Sequence, residues 1–350
     1  MPEVQNITIA EDDGSPRLDR WLRRRFPGVA QGRIERMCRK GEIRVDGRRA
    51  QASLRLAPGQ TVRVPPIADA PSRAASSASR TAQGSRVSEA DAQMIRAAVL
   101  YRDDDVIALN KPPGIATQGG AGQNDRHLDA FADALRFGRS DRPRLVHRLD
   151  RDTSGALLLA RTPRAAAGLA KALKARDARK VYWAAVAGAP RPTEGSIRSG
   201  LVKRATGGQK EKMILVAPDE VSATPGARLA ETEYTVIEAA AKRAAWVALS
   251  PITGRTHQLR VHMASIGCPI VGDGKYGGRA QENAGDGWGA NLGGGVSRKL
   301  HLHARSIAIA HPVTGKTLRV TAPLPDHMAR TWALFGWDTE TAPADPFAES

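Results

Sequence analysis

The sequence predicts an α+β protein in two parts: a small basic domain over residues 16–66, and a larger domain over residues 94–337 built on a mixed, largely antiparallel sheet. Three observations predict it. The 350 residues carry 53 Lys and Arg against 36 Asp and Glu, a net charge of +17. Fourteen of those basic residues and four of the acidic ones fall between Pro16 and Pro65, which leaves only +7 for the rest of the chain. Residues 67–93, "IADAPSRAASSASRTAQGSRVSEADAQ", are rich in Ala, Ser and Arg without apolar periodicity, as expected of a flexible tether. Beyond them, strand patterns follow one another with few helical stretches between, which suits antiparallel pairing better than a doubly wound parallel sheet.

Taken in order, residues 1–15 open with "MPEVQNITIAEDDG", which is acidic and lacks the basic start and apolar core of a signal peptide, so they read as a tail. "SPRLDRWLRRRF" offers a cap at Ser15-Pro16 and apolar Leu18, Trp21, Leu22 and Phe26 at helical spacing. "QGRIERMCRKGEI" is a second helix, with Ile34 and Met37 inward, Arg33, Arg36, Arg39 and Lys40 left to solvent, and Gly41 as the stop. "EIRVDGRRA", with its Asp46-Gly47 turn, and "QTVRVPP" alternate as strands. Together they make a compact platform with arginines on one face, to which Arg20 and Arg44 also belong. In the larger domain "AVLYRDDDVIALNKP" reads as strand, acidic turn, strand. "TPRAAAGLAKALKARDARK" is a helix capped by Thr162 with Pro163 in its first position. "KVYWAAVAG", "AETEYTVIEA" and "AAWVALSPITG" are strands, "RTHQLRVHMASIG" is a helix with a glycine stop, and "KLHLHARSIAIAHPVTGKTLRVTAP" is a long hairpin. The glycine-rich stretch at 279–297 reads as a loop and residues 338–350 as a disordered tail.

Several function classes drop out. No apolar stretch approaches the ~20 residues that span a bilayer, so no membrane role is expected. Cys38 and Cys268 lie far apart with no CxxC spacing, which fits a reduced, cytoplasmic chain without disulfides or a zinc knuckle. No G-x-x-x-x-G-K-[ST] follows a strand, and no Ser sits in a G-x-S-x-G elbow. His301 and His303 share a strand face, and His257 and His262 lie near a helix, but neither pair comes with cysteines or a zincin pattern. Neither a metal nor another cofactor is expected.

Carboxylate chemistry remains. "HRLDRDTSG", from His147 to Gly155, packs Arg148, Asp150, Arg151 and Asp152 against the apolar run "ALLLA". A salt-bridged turn accounts for such a cluster. So does a catalytic carboxylate kept ionised beside an arginine and available as a nucleophile. The second reading needs a distant arginine on a rigid element, and "TGRTHQLRVH" supplies Arg255 and Arg260. "RKVYWA" adds the aromatic hydroxyl of Tyr182 on a strand.

Residues 16–66 resemble the S4 RNA-binding domain through "RLDRWL", "GEIRVDG" and the spacing between them. "LNKPPGIATQGG", "VHRLDRDTSGALLLA", "RKVYWAAV", "PITGRTHQLRVHMASIGCPIVGDGKYG" and "LHLHARSIAIAHPVTGKTLRVTAPLP" resemble, in order, the RluA family of RNA pseudouridine synthases, most closely its RluC type acting on large-subunit ribosomal RNA. The resemblance implies that Asp150 attacks the ribose of a flipped-out uridine and the uracil rejoins through C5. It implies that Arg260 pairs with Asp150, that Tyr182 stacks on the uracil and takes part in removing the C5 proton, and that Arg148 fills the gap left in the RNA stack. Arg20, Arg33, Arg36, Arg39, Lys40 and Arg44 are the expected RNA contacts of the small domain. No cofactor is implied; the partner is large-subunit ribosomal RNA or the assembling subunit, and the chain acts as a monomer. Lys111 is expected to be structural, while Arg151 and Asp152 anchor the turn. The family pattern is departed from in the long linker and the glycine-rich insertion; the basic stretch Val202 to Met213 also lies where it could touch substrate. A binding protein with a degenerate enzyme domain is the rival reading, and a uracil-releasing glycosylase a third.

Overall fold

The structure, a computed structural model, describes residues 4–26, 29, 31–66, 87–119, 126–175, 177–206, 210–277, 295–343 and 345–347. The chain divides into two compact units, Met1–Arg86 and Val87–Ser350. Among the described residues no helix is long and apolar enough to cross a membrane.

In the first unit, strands β1 (Gln5–Thr8), β2 (Arg44–Val45), β3 (Arg48–Arg49) and β4 (Thr61–Val64) pair antiparallel in the order β1-β4-β2-β3. Helices Leu18–Arg25 and Gln31–Lys40 lay Leu18, Trp21, Leu22, Ile34 and Met37 against Ile43, Val45, Val62 and Val64. Two expectations are corrected here. Residues 1–15 are more than a tail, since Ile7 and Ile9 alternate with polar neighbours, β1 pairs with β4 and Ile9 is buried. Ser15 does not cap the first helix. The N–H groups of Leu18 and Asp19 donate instead to the carbonyls of Leu54 and Ala52, so backbone satisfies the donors a Ser side chain would have served.

Among its described residues the second unit holds one sheet of eleven strands. They are β5 (Val99–Arg102), β6 (Val106–Lys111), β7 (Arg144–Leu145), β8 (Ser154–Ala160), β9 (Arg179–Ala187), β10 (Glu194–Thr206), β11 (Lys210–Val216), β12 (Arg228–Ala240), β13 (Ala244–Pro251), β14 (Leu302–Ala310) and β15 (Thr317–Thr321). The order is β11-β10-β12-β13-β9-β14-β8-β6-β5, with β15 on β14 and β7 on β8. Every pairing is antiparallel except β8 with β14, so the sheet is mixed and largely antiparallel as expected. β8 explains the unbroken "ALLLA". Ala156, Leu158 and Ala160 face a core with Ala165 and Leu169 of the helix Pro163–Ala172, while Leu157 and Leu159 face another with Leu128 and Phe131. A strand covered on both faces has no polar side to show.

The ends of the second unit also correct the sequence reading. The expected linker of 67–93 stops short: residues 67–86 lie outside the described ones, but Glu89–Ala97 is a helix. Ser88 caps it by accepting from Asp91 N–H, and Ala92 and Ile95 are buried beneath it. Of the expected tail 338–350, Ala342 and Phe347 are partly buried against the cluster of Trp246, Trp332 and Trp337, while Asp338, Glu340, Thr341 and Pro343 are exposed. Apolar area of that size is worth more buried than the entropy of a short free tail. Of the expected loop 279–297, all but residues 295–297 lies outside the described residues.

Register on β14 positions the site. Ala304 pairs with Tyr182 of β9 on one side and with Gly155 of β8 on the other, so the start of β8 is drawn level with Tyr182. Gly155 has φ 109°, and a Cβ there would lie 2.3 Å from the Ala304 carbonyl oxygen. Gly155→Ala should therefore disrupt the one parallel pairing. Gly226→Ala, at φ 80° with its nearest contact at 4.0 Å, should cost only the backbone penalty of roughly 1–2 kcal/mol. Thermal unfolding of the two variants separates these effects, and the Gly155 variant should melt well below the other.

Candidate active site

Asp150 lies just ahead of β8, and its neighbours in sequence are clamped. Thr117 Oγ1 donates to the Leu149 carbonyl at 2.6 Å and accepts from the Leu149 N–H at 3.1 Å. Lys111 is fully buried, and its Nζ donates to the carbonyls of Pro112 (2.9 Å), Ile115 (2.9 Å) and Arg151 (3.1 Å). Burial pulls the Lys111 ammonium down to about 7, against the opposing charges of Asp152 and Asp150. Three acceptors around one nitrogen suit its protonated form and give it the structural task expected of it. Gly114 N–H donates to the same Arg151 carbonyl, so the backbone on either side of Asp150 is fixed. Arg151 and Asp152 form an exposed ion pair at 3.1 Å. His147 Nε2 accepts from Leu158 N–H at 2.8 Å, and burial lowers its pKa to about 4.

The other half of the site comes from the helix Gln258–Ser265, which polar side chains pin to the sheet. Gln258 Nε2 donates to the Glu231 carbonyl and Thr232 Oγ1, while its Oε1 accepts from Thr253 Oγ1 and Arg255 N–H. His262 bonds Ser199 Oγ at 3.0 Å and Thr232 Oγ1 at 2.9 Å, and burial lowers its pKa to about 4. Leu259 and Met263 enter the core beneath. Arg260 is thereby held with its guanidinium toward Asp150, Nη1 to Oδ2 at 3.6 Å.

The expected pairing of Arg260 with Asp150 is the weaker of two. Arg260 Nε and Nη2 donate to the carboxylate of Asp273 at 2.7 and 2.8 Å, and that carboxylate is wholly buried. Asp273 also accepts from the N–H groups of Lys275 and Tyr276. Burial alone would raise the Asp273 pKa, but these four donated bonds and the guanidinium's charge hold it below the usual carboxylate range. Arg260 is raised in turn: Asp273 and Asp150 outweigh its desolvation. Gly272 before Asp273 has φ 74° and leaves room for the Lys299 carbonyl, which a Cβ would meet at 2.0 Å. Sequence reasoning missed Asp273, although "VGDGKYG" carries a signal in an aspartate set between two glycines after an apolar run.

Asp150, Arg148, Leu149, His257 and Arg260 line two adjoining cavities. One of about 800 Å³ is bounded also by Thr117, Lys275, Arg298 and Lys299. The other, about 130 Å³, is bounded by Tyr182, Thr153 and Leu302. The structure thus brings Asp150, Arg260 and Tyr182, the three expected catalytic residues, around one small cavity, with Arg148 exposed at its rim. Burial and the charge of Asp150 both push the Tyr182 phenol above its ordinary value. Its ring forms part of the cavity wall that Asp150 also lines, which suits a stacking surface.

Arg20, Arg33, Arg36, Arg39, Lys40 and Arg44 are all exposed on the first unit. Arg44 also braces the hairpin, donating to the carbonyls of Gly41 and Gly47. A basic hollow of about 780 Å³ beside the first helix was not anticipated; Arg17, Arg20, Arg23, Arg24 and Arg55 line it with Asp13. Among the described residues no group of three or more His, Cys, Asp or Glu could hold a metal ion. Both nitrogens of His301 and of His303 are bonded, to the Lys299 carbonyl and Thr331 Oγ1, and to Ser154 Oγ and the Ala322 carbonyl.

Comparison with known proteins agrees with this geometry. Residues 105–265 match the family described as RNA pseudouridylate synthase, and residues 16–62 match the S4 domain. The chain is 35% identical over 335 residues to ribosomal large subunit pseudouridine synthase C of Yersinia pestis, covering 93% of this chain and 94% of that protein. It is 33% identical to the protein of the same name from Escherichia coli O157:H7, over 94% of this chain and 96% of that one. Among solved structures, human RNA pseudouridylate synthase domain containing 4 superposes with a TM-score of 0.56 at 28% identity, covering 70% of this chain and 95% of that one.

Breaking the buried pair should be costly, although the intact pair adds little net stability. Asp273→Asn strands the Arg260 guanidinium and is expected to lower unfolding stability in urea by about 3 kcal/mol. Glu211→Gln, which removes only the exposed pair with Lys203, should change it by no more than about 0.5 kcal/mol.

Proposed function

The chain belongs to the RNA pseudouridylate synthase family, and on that premise we propose that it isomerises particular uridines of large-subunit (23S) ribosomal RNA to pseudouridine. The observation that carries the reading is the small cavity shared by Asp150, Arg260 and Tyr182. A target uridine swings out of its stack into that cavity, at a cost of a few kcal/mol. Arg148, at the rim, fills the space it leaves. The larger adjoining cavity, with Lys275, Arg298 and Lys299 on its wall, takes the flanking backbone.

Asp150 then bonds to the ribose anomeric carbon as the C1′–N1 bond breaks and the uracil departs with the electron pair. The base turns on the face of Tyr182, C5 attacks C1′, and the carboxylate is released. C5 loses its proton and N1 gains one, so nothing is oxidised, reduced or hydrolysed. The C5 proton passes to a group on the cavity wall, where Asp150 and Tyr182 both lie. The chain acts as a monomer in the cytoplasm in this reading. The exposed cations of the first unit grip the RNA.

Asp150→Asn is expected to abolish pseudouridine formation, read as carbodiimide-dependent reverse-transcription stops on ribosomal RNA, while leaving RNA affinity within about threefold. Pseudouridine made by that variant would overturn the mechanism, and free uracil from the wild type would point to a glycosylase. Replacing Arg33, Arg36, Arg39 and Lys40 with Ala should make the slope of log affinity against log salt shallower by about 3, at roughly 0.7 for each phosphate no longer neutralised.

A further inference from the structure

His257 and Tyr276 have no task in the reaction just described, yet they form a directed path to its nucleophile. His257 stands immediately before the helix Gln258–Ser265 with φ 55° and ψ 18°, the left-handed region that a residue with a side chain seldom takes. Such a conformation persists only where the surroundings impose it, and it gathers at functional sites. Here it turns the imidazole inward, Nε2 to 3.8 Å from Asp150 Oδ2 and Nδ1 to 2.8 Å from the Tyr276 hydroxyl. The Tyr276 oxygen in turn accepts from the backbone N–H of Met213, on β11, at 3.1 Å.

The direction of this path follows from its far end. A backbone N–H can only donate, so the Tyr276 oxygen receives from Met213 and its own proton is free to point to His257 Nδ1, the arrangement taken here. An accepting Nδ1 leaves the proton of a neutral imidazole on Nε2, facing Asp150. Burial lowers the His257 pKa, helped by the cations Arg260 and Lys275 and opposed by Asp150 and Asp273. Arg260 Nη1 and His257 Nε2 both approach Oδ2 of Asp150.

We propose that Tyr276 and His257 are positioning residues that fix a single imidazole tautomer and steady Oδ2 of Asp150 together with Arg260, leaving Oδ1 as the atom that attacks the sugar. The 3.8 Å gap is that of the substrate-free site, and such contacts shorten when substrate fills it. A neutral donor suits the task, because an imidazolium would pair with the carboxylate and blunt its nucleophilicity. The inference rests on the pseudouridine synthase reading, with Asp150 as nucleophile.

Two measurements test it on the full-length chain. Nitrogen-15 NMR of histidine-labelled protein, with the His257 signals assigned by their loss in His257→Asn, should show the Nε2–H tautomer at neutral pH, and Tyr276→Phe should shift it to a mixture. An Nδ1–H tautomer or an imidazolium in the wild type would overturn the proposal. His257→Asn tolerates the left-handed backbone and keeps an acceptor for Tyr276, but ends short of Asp150. Its single-turnover rate on ribosomal RNA should fall about 10²-fold, with melting temperature unchanged and RNA affinity within about threefold. His257→Gln, which reaches further, should recover part of the rate. An active wild type with an unimpaired His257→Asn variant would overturn this inference alone, whereas an inactive wild type would overturn the activity reading on which it stands.

Discussion

A guanidinium confined between two carboxylates organises this active site. Arg260 gives two short bonds to buried Asp273 and turns its remaining nitrogen toward Asp150. Alone, neither charge of the buried pair would be tolerable so far from water; together, with two backbone N–H groups on Asp273, they are satisfied and rigid. The pair therefore acts less as a source of stability than as a fixed electrostatic reference. Lys275 and Tyr276 follow Asp273 directly, so the turn that satisfies the carboxylate also delivers a cation to the cavity wall and a phenol to His257.

The same economy runs through the sequence around the nucleophile. Lys111 and Thr117, from a segment that could be taken for an ordinary Lys-Pro loop, hold the backbone on both sides of Asp150. Chain entropy that would blur the carboxylate's position is removed before substrate arrives, and this is what preorganisation requires.

Much of this was legible beforehand. Period and turn chemistry located both small helices, the strands around them and most strands of the large sheet, because burial on one face leaves an alternating or helical trace. The link between Asp150, Tyr182 and Arg260 came from motif resemblance, not from spacing. What brings them together is the register of Ala304 between Tyr182 and Gly155, and nothing local encodes register between strands more than a hundred residues apart. Asp273 was hidden for the same reason: its partner is made by the tertiary fold. β1 escaped because acidic surroundings masked the Ile7–Ile9 alternation, and the contacts of Ala342 and Phe347 because isolated apolar residues in a polar stretch look like loop.

The interior imidazoles have a consequence for the whole protein. His147, His262, His301 and His303 are desolvated, each lowered from 6.5 to about 4. As acidity increases through that interval, the unfolded chain takes up protons at these four positions while the native chain does not. Mild acid thus works against the native state from within, through imidazoles that brace the framework of the protein, whereas on the alkaline side they are neutral in both states and impose no such bias.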